Sequence, residues 1–247
     1  MEILKRTKLL IGTEGIEKLK KNRVAIMGLG GVGTYATEAL ARSGIENFLL
    51  VDFDKVSKSN INRQLIALHS NINKLKTEAM KDRILDINPN AKVEIFNDFC
   101  AVESREFLLK DIDFIVDAID SLNPKVGLLE DAYKKEIKII SVMGAGGKLD
   151  PSQIRLDDIS KSNVCPLAKR VRKYLRRRGI ESGIPVIYSL EKPIPQFAFE
   201  EGSEEELGST RGRQRGTLSS ISYLPAIMGM WAASYLIRNV ALEYRIK

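Results

Sequence analysis

The sequence predicts an α/β fold: a mostly parallel sheet with helices on both faces, extended toward the C-terminus by additional strands and helices. Three observations carry that prediction. Short apolar runs of strand length alternate with longer amphipathic stretches between residues 23 and 143. The first such pair is joined by a glycine-rich turn, "GLGGVG" at Gly28–Gly33. The conspicuous polar residues, Asp52–Arg63 and Asp120, follow the ends of apolar runs, where parallel sheets keep their chemistry.

Each element has its own justification. "RVAIMGL" (Arg23–Leu29) is a buried strand, and Gly31–Ser43 the helix after it. "NFLLVDF" (Asn47–Phe53) is the second strand. Lys74–Asn88 carries Met80, Ile84 and Ile87 on one stripe and stops before Pro89, whose ring disfavours helical geometry in the preceding residue. "KVEIF" (Lys92–Phe96), "DFIVDAI" (Asp113–Ile119) and "IKIISVM" (Ile137–Met143) are the next strands, with a helix at Asn123–Lys135. This alternation implies right-handed βαβ units.

After Gly144 the pattern changes. "GAGGKLD" is a flexible, turn-rich link, Leu167–Arg178 a basic helix, and "IPVIYS" (Ile184–Ser189) a strand. Glu200–Gly216 is polar and glycine-rich and reads as a mobile loop, after which "TLSSISYL" returns to strand. Ile221–Ile237 is apolar, but Ser222, Pro225, Gly229 and Ser234 interrupt it and Arg238 closes it. A bilayer span needs about 20 apolar residues, so this is a buried strand-to-helix unit with Pro225 in the first helical turn, and membrane contact is the alternative. One domain over residues 1–247 is expected, with a nucleotide-binding half at about 1–147 and a substrate and dimer half at 148–247.

Composition narrows the classes. With 44% hydrophobic and 29% charged residues, a disordered chain is excluded. The net charge of +7 favours anionic partners, nucleic acid included. Two cysteines, Cys100 and Cys165, with no C-x-x-C pair, exclude a four-cysteine structural zinc site and argue against a disulfide scaffold. "MEILKRTKLLIGTEG" lacks the apolar core of a signal peptide, so the expected compartment is a reducing cytoplasm.

The glycine loop fits G-x-G-x-x-G between a strand and a helix, where glycines let phosphate oxygens reach unpaired N–H groups at the helix start. Asp52, nineteen residues after Gly33, could accept hydrogen bonds from ribose hydroxyls. This motif does not separate NAD, FAD, SAM and ATP. It is not a P-loop, because no G-K-[ST] follows. Arg63, Lys76 and Asp120 narrow the choice. Cations converging near a triphosphate suit reaction at phosphorus, where negative charge builds on the phosphate oxygens. A carboxylate such as Asp120 would hold Mg²⁺ across phosphate oxygens. Taken singly, Arg63 and Lys76 read as solvated charges and Asp120 as a helix N-cap; the joint arrangement favours the phosphate site.

"GLGGVG", "DFDKVSKSNINRQ", "KTEA" from Lys76, "INPNAKVE" and "DAIDS", in that order, resemble the ThiF/MoeB/HesA superfamily, whose Rossmann-like adenylating fold is shared with ubiquitin-activating enzymes. The resemblance implies attack of a carboxylate on the α-phosphate of ATP, with release of pyrophosphate. It implies that Gly28, Gly30, Gly31 and Gly33 cradle the phosphates, that Asp52 binds the ribose and that Asp54 supports the site. Asn60, Arg63 and Lys76 match triphosphate contacts, with Gln64 beside them in the nucleotide site. Asp120 matches the Mg²⁺-associated acid. "RTKLLIG" is similar to an R-x-x-x-L-x-G element whose arginine, here Arg6, reaches a partner subunit's site, which implies a homodimer.

The whole chain, its second half included, resembles one branch, the tRNA threonylcarbamoyladenosine dehydratases, in "DAIDSLNPK", "GAGGKLDPSQIRLDDISKS", "PLAKRVRKYLRRRGI", "VIYSLEKP" and "GTLSSISYLPAIMGMWAAS". That resemblance implies a substrate carboxylate on a modified adenosine of tRNA, adenylated and then cyclised with loss of AMP. The cations Lys169, Arg170, Arg172, Lys173, Arg176, Arg177 and Arg178 crowd one helix whose apolar stripe is Leu167, Val171 and Leu175, and Arg211–Arg215 adds three more. Such a helix would hold tRNA phosphates; a solvated basic face is the bland reading. Tyr174 is the one aromatic nearby, which favours backbone contact over base stacking. Cys165 stands where the dehydratases often carry an acid before proline. It reads first as a small half-buried residue and second as a nucleophile. The rivals are activation of a ubiquitin-like or sulfur-carrier protein's C-terminus, weakened by the missing C-x-x-C pairs, an NAD-linked oxidoreductase, and a non-catalytic RNA-binding module. A sulfur-transfer protein partner stays open.

Overall fold

Alternation along the apolar runs sorts their side chains onto two faces of one sheet. In a computed structural model of the chain, which describes residues 2–98, 100, 102–195 and 219–242, seven strands form that sheet. They are β1 (Arg23–Met27), β2 (Asn47–Val51), β3 (Lys92–Phe96), β4 (Phe114–Asp117), β5 (Lys138–Val142), β6 (Ile154–Asp158) and β7 (Pro185–Ser189). Val24 and Ile26 of β1 enter one core while Ala25 and Met27 enter the other, and Phe48 and Leu50 of β2 part from Leu49 and Val51 in the same way. A strand buried on both faces reads as a continuous apolar run, which is why these strands were legible.

The helices are α1 (Lys5–Lys21), α2 (Gly33–Ser43), α3 (Lys76–Ile87), α4 (Val102–Leu108), α5 (Leu122–Lys134), α6 (Pro166–Arg176) and α7 (Tyr223–Ala241). Helices α1, α2, α3 and α7 cover one face, and α4, α5 and α6 the other. The strand order is β3-β2-β1-β4-β5-β7-β6, parallel throughout except for the β6–β7 pair. The order reverses at β1. The chain leaves β1 into α2 on one face and leaves β4 into α5 on the other, which opens a crevice between their carboxyl ends.

The expected α/β architecture is borne out, with strand ends trimmed by one or two residues. Three elements went unread. In α1 only Gly15, Ile16 and Leu19 are buried, and Gly12, at φ +76°, interrupts the helix, so its apolar stripe is too short to show a period. Strand β6 buries Ile154 and leaves its remaining residues partly or fully exposed, as an antiparallel edge strand does. Helix α4 is only seven residues long.

One expectation is corrected. "TLSSISYL" is not a strand from Ser219 on: Ser219–Ser222 is irregular and Tyr223 starts α7. Leu224, Met228, Ala232, Leu236 and Val240 are buried at a spacing of four, so helical period governs where alternation was read. Pro225 does lie in the first turn, where its missing N–H costs nothing. The Glu200–Gly216 loop and the Arg211–Arg215 cations lie outside the described residues. No helix among the described residues is long and apolar enough to cross a membrane.

Glu38 of α2 bolts that helix to α3. It accepts hydrogen bonds from Arg83 at 2.6 and 2.9 Å and from Arg42 at 2.7 Å. Burial alone pushes its carboxyl up, but the two arginines outweigh that and hold it below its ordinary value. A depressed folded-state value means stability that is present above the unfolded value and lost as pH falls through the folded one. Glu38→Gln is expected to cost about 1–3 kcal/mol at neutral pH, with the deficit against wild type shrinking below about pH 4. Urea unfolding of both proteins at the two pH values checks this.

Candidate nucleotide site

The glycine loop lies in the crevice. Gly28, at φ +95°, donates its N–H to the Val51 carbonyl at 2.8 Å. A Cβ on Gly28 would sit 2.9 Å from the Ala118 carbonyl oxygen, so β1 ends wedged against the turn after β4. A Cβ at Gly33 would lie 1.8 Å from the Gly28 carbonyl oxygen; α2 can begin this close to the loop only without a side chain there. At Gly30 a Cβ would meet nothing within 4 Å, which makes that side of the loop open. No side chain caps the N-terminus of α2. Gly31 packs under Pro225 of α7 and the Arg63 carbonyl, each 3.1 Å from where a Cβ would be.

The acids after β2 divide the work. Asp52 accepts from the Leu29 N–H at 2.6 Å and from the Asp54 N–H at 2.8 Å. Burial pushes its carboxyl up, opposed by the Lys76 ammonium and those two N–H groups. Asp54 pairs with Lys76 at 2.7 Å, and its carbonyl accepts the Lys76 N–H at 3.0 Å. Lys76 is 5% exposed and is the first residue of α3, so it is no solvated surface charge. A cation at a helix N-terminus opposes the helix dipole; Asp54 offsets that cost and fixes where the ammonium lies.

The segment Ser57–Gln64 brings up the next group. Asn60 and Ser57 form a capping box around one tight turn. The Asn60 carbonyl then accepts the N–H groups of Arg63 at 3.1 Å and Gln64 at 2.9 Å. Arg63 donates from Nη1 to the Ser59 carbonyl at 2.9 Å and to Asn62 Oδ1 at 2.8 Å. Burial pushes the Arg63 guanidinium down, and attraction by Asp120 opposes that, so the two groups feel each other across the crevice. Gln64 is buried, and among the described residues its Oε1 has no hydrogen-bond partner. A buried amide oxygen left so is costly, and a bound donor would relieve it.

"DAIDS" splits into two roles that the sequence alone did not separate. Asp120 is exposed and accepts from the Ser121 hydroxyl at 3.2 Å; Ser121, not Asp120, is the N-cap residue of α5. Asp117 is fully buried. It accepts from Lys125 Nζ at 2.8 Å, the Ser141 hydroxyl at 2.6 Å and the Ile119 N–H at 3.1 Å. Lys125, equally buried, also donates to the Ile119 carbonyl at 2.9 Å. This ion pair locks the turn that carries Asp120 and backs Gly28. An Asp closing an apolar strand, followed by a lysine in the next helix's first turn, is the signal that could have found it.

The other sequence candidates lie on segments other than those described above. Arg6 is exposed on α1, beside Leu9 and Leu10 at 84% and 83% exposure. Helix α6 buries Ala168, Val171 and Leu175 and exposes Lys169, Arg170, Lys173 and Arg176, with Arg177 just past its end, 5.3 Å over the Tyr174 ring. Arg172 is half-buried and bonds to the Ser162 carbonyl and, at 2.8 Å, its hydroxyl; Arg178 pairs with Glu130 of α5 at 2.6 Å. Those two serve the fold. Cys165 is fully rather than half buried, its sulfur packed near Gly144. Cys100 is also buried, and burial pushes its thiol up to about 11.

A crevice of this kind, at the switch point of a doubly wound sheet carried on by β7 and β6, belongs to nucleotide-binding α/β proteins. Within that class the chain is a member of the ThiF family, whose sequence profile matches residues 4–245. It is 40% identical to the tRNA threonylcarbamoyladenosine dehydratase of Bacillus subtilis over 98% of this chain and 96% of that one. The structure of Escherichia coli tRNA N6-threonylcarbamoyladenosine dehydratase, TcdA, in complex with ATP matches with a TM-score of 0.84 at 28% identity, covering 98% of this chain and 95% of that chain. Similarity to the molybdopterin-synthase adenylyltransferase of Haemophilus influenzae, 32% identical, covers 56% of each chain.

Two tests of this architecture are direct. Gly30→Ala is expected to leave the thermal midpoint unchanged, since its methyl enters open space, yet to weaken ATP by about tenfold or more if phosphate approaches there; calorimetric titration measures it. Lys125→Met is expected to cost about 3–5 kcal/mol by stranding Asp117, and Asp117→Leu added to it to restore part of the loss; denaturant unfolding reads both.

Proposed function

We propose that this protein is an ATP-dependent dehydratase that adenylates the carboxylate of threonylcarbamoyladenosine in tRNA and closes it into a ring, releasing pyrophosphate and AMP. The observation that carries this reading is the reach of the similarity. Likeness to the Bacillus subtilis dehydratase runs through both halves of the chain, whereas likeness to the molybdopterin-synthase enzyme covers about half of it.

In this reading the open side of the loop at Gly30, with the uncapped start of α2, receives the phosphates, and Asp52 accepts from the ribose. Gln64 Oε1 gains a donor from the nucleotide. Arg63 and Lys76 would contact the triphosphate, and each is oriented by its neighbours before any ligand arrives, so little reorganisation is needed as charge develops. A carboxylate oxygen forms the new bond to the α-phosphorus, and the bond to the bridging oxygen of the β-phosphate breaks. Pyrophosphate leaves with its electron pair. A nucleophilic atom of the same carbamoyl group then bonds to the activated acyl carbon and gives up its proton. The acyl C–O bond to AMP breaks, and AMP leaves with that electron pair. Counted from the neutral acid, the hydrogen and the carboxyl OH lost from the nucleoside amount to one water.

Asp120 fits a Mg²⁺ role. It offers a single exposed carboxylate, and no group of three His, Cys, Asp or Glu among the described residues could hold a metal without the nucleotide. Magnesium in nucleotide sites is commonly held by one or two carboxylates plus phosphate oxygens. Bound there, it would neutralise charge on the phosphates.

The exposed cations Lys169, Arg170, Lys173, Arg176 and Arg177 would grip the tRNA backbone by ion pairing and counterion release. Arg6, with the exposed Leu9 and Leu10 around it, supports a homodimer in which Arg6 serves the partner's site. The chain would work as one adenylating unit in the cytoplasm, and a sulfur-transfer protein is a candidate partner. The second reading, activation of a sulfur-carrier or ubiquitin-like C-terminus, is favoured by the shared nucleotide half alone.

Incubation with ATP, Mg²⁺ and threonylcarbamoylated tRNA, followed by nucleoside mass analysis, should show loss of one water. Intact nucleoside alongside pyrophosphate exchange that requires a carrier protein would select the second reading. Arg63→Ala and Lys76→Ala should each slow pyrophosphate release by about a hundredfold. Replacing Lys169, Arg170 and Lys173 together by Gln should weaken tRNA binding, reduce its salt dependence and leave ATP affinity intact.

A further inference from the structure

We propose that Asn62 is a positioning residue: it sets the plane of the Arg63 guanidinium and ties it to the chain leading into α7. The inference rests on the reading of Arg63 as a phosphate contact, and it concerns a residue to which the family resemblance assigns no role.

The geometry is that of a bridge. Arg63 Nη1 is held by two acceptors at once, the Ser59 carbonyl at 2.9 Å and Asn62 Oδ1 at 2.8 Å. Two acceptors on one nitrogen fix the plane of a guanidinium and leave its Nε and Nη2 edge outside that hold. Across the same amide, Asn62 Nδ2 donates to the Ser220 carbonyl at 3.3 Å. The amide orientation follows from the network. Flipped, it would set a donor against Arg63 and an acceptor against a carbonyl, losing both bonds. Only a side chain with an acceptor at one end and a donor at the other spans this gap; Asp would face the Ser220 carbonyl with like polarity.

What lies on the far side of the bridge gives it consequence. The Ser219 carbonyl accepts the Gly147 N–H at 2.8 Å, so the bridged segment is itself tied to the turn that follows β5. Five residues past Ser220, Pro225 packs on Gly31 of the phosphate loop. The start of α7 therefore touches both halves of the crevice, the glycine loop through Pro225 and Arg63 through Asn62. Asn62 is exposed, so its two hydrogen bonds contribute little to folding and their value lies in orientation. Arg63 is half-buried, and a partly desolvated cation gains most from being aimed in advance.

The test uses the full-length protein and two ligands, Mg-ATP and adenosine, in calorimetric titrations, with thermal midpoints recorded alongside. Asn62→Ala is expected to raise the ATP dissociation constant about three- to tenfold, with adenosine affinity and the thermal midpoint unchanged. In an Arg63→Ala background the same substitution should change ATP affinity by less than about twofold, because the residue acts through the arginine. Equal weakening of ATP and adenosine, a full-sized effect that persists without Arg63, or wild-type ATP affinity in Asn62→Ala would each overturn the proposal. Absence of any Mg-ATP binding by the wild type would overturn both it and the reading of the site. Binding is measured without tRNA, so wild-type protein that binds ATP but fails to dehydrate tRNA overturns only the substrate assignment.

Discussion

The approach of the Gly33 backbone to the Gly28 carbonyl, too close for any side chain, is the constraint on which the rest of the molecule depends. It forces α2 to start directly above the end of β1, at the point where strand order reverses. No side chain caps the helix there, so its start keeps backbone N–H capacity at the strand-order reversal. Ala118 presses on Gly28 from the other side. The loop is thus set by contact between backbones, and the polar side chains of the crevice are arranged around it.

Charges around that seat are placed in pairs, each member restraining the other. Asp54 holds Lys76 at the start of α3, where the helix dipole would otherwise oppose it. Asp117 and Lys125 lie buried beneath the turn that presents Asp120. Glu38 joins α2 to α3 through Arg83, so the helix that follows the glycine loop is tied to the helix that carries Lys76. Such pairs add little net stability. Their physical contribution is position: a cation with a fixed partner is already oriented when negative charge develops before it.

The second half of the chain builds outward from the same sheet. Strands β7 and β6 extend it beyond β5, and α7 returns across α2 to rest on the loop at Gly31. Helix α6 shows how a basic stretch is apportioned: Arg172 and Arg178 are consumed by local bonds, while Lys169, Arg170, Lys173 and Arg176 face solvent. Charge density in sequence overstates the charge available for a partner, because some arginines are spent on carbonyls and carboxylates nearby.

The strands buried on both faces, the glycine loop and the order of the motifs are legible in the residues alone, because those features arise from local period and from backbone geometry that only glycine tolerates. Met80 and Ile84 on one stripe placed α3, and Val24 to Met27, apolar throughout, placed β1. Elements with one thin apolar face, such as β6 and α1, left no period to read. Tertiary structure alone decided which of the two acids in "DAIDS" is buried, that Lys76 is paired, and that Asn62 reaches Ser220, 158 positions away. Pairings of that kind depend on which chain segments the sheet order brings side by side, and no local pattern encodes that distance.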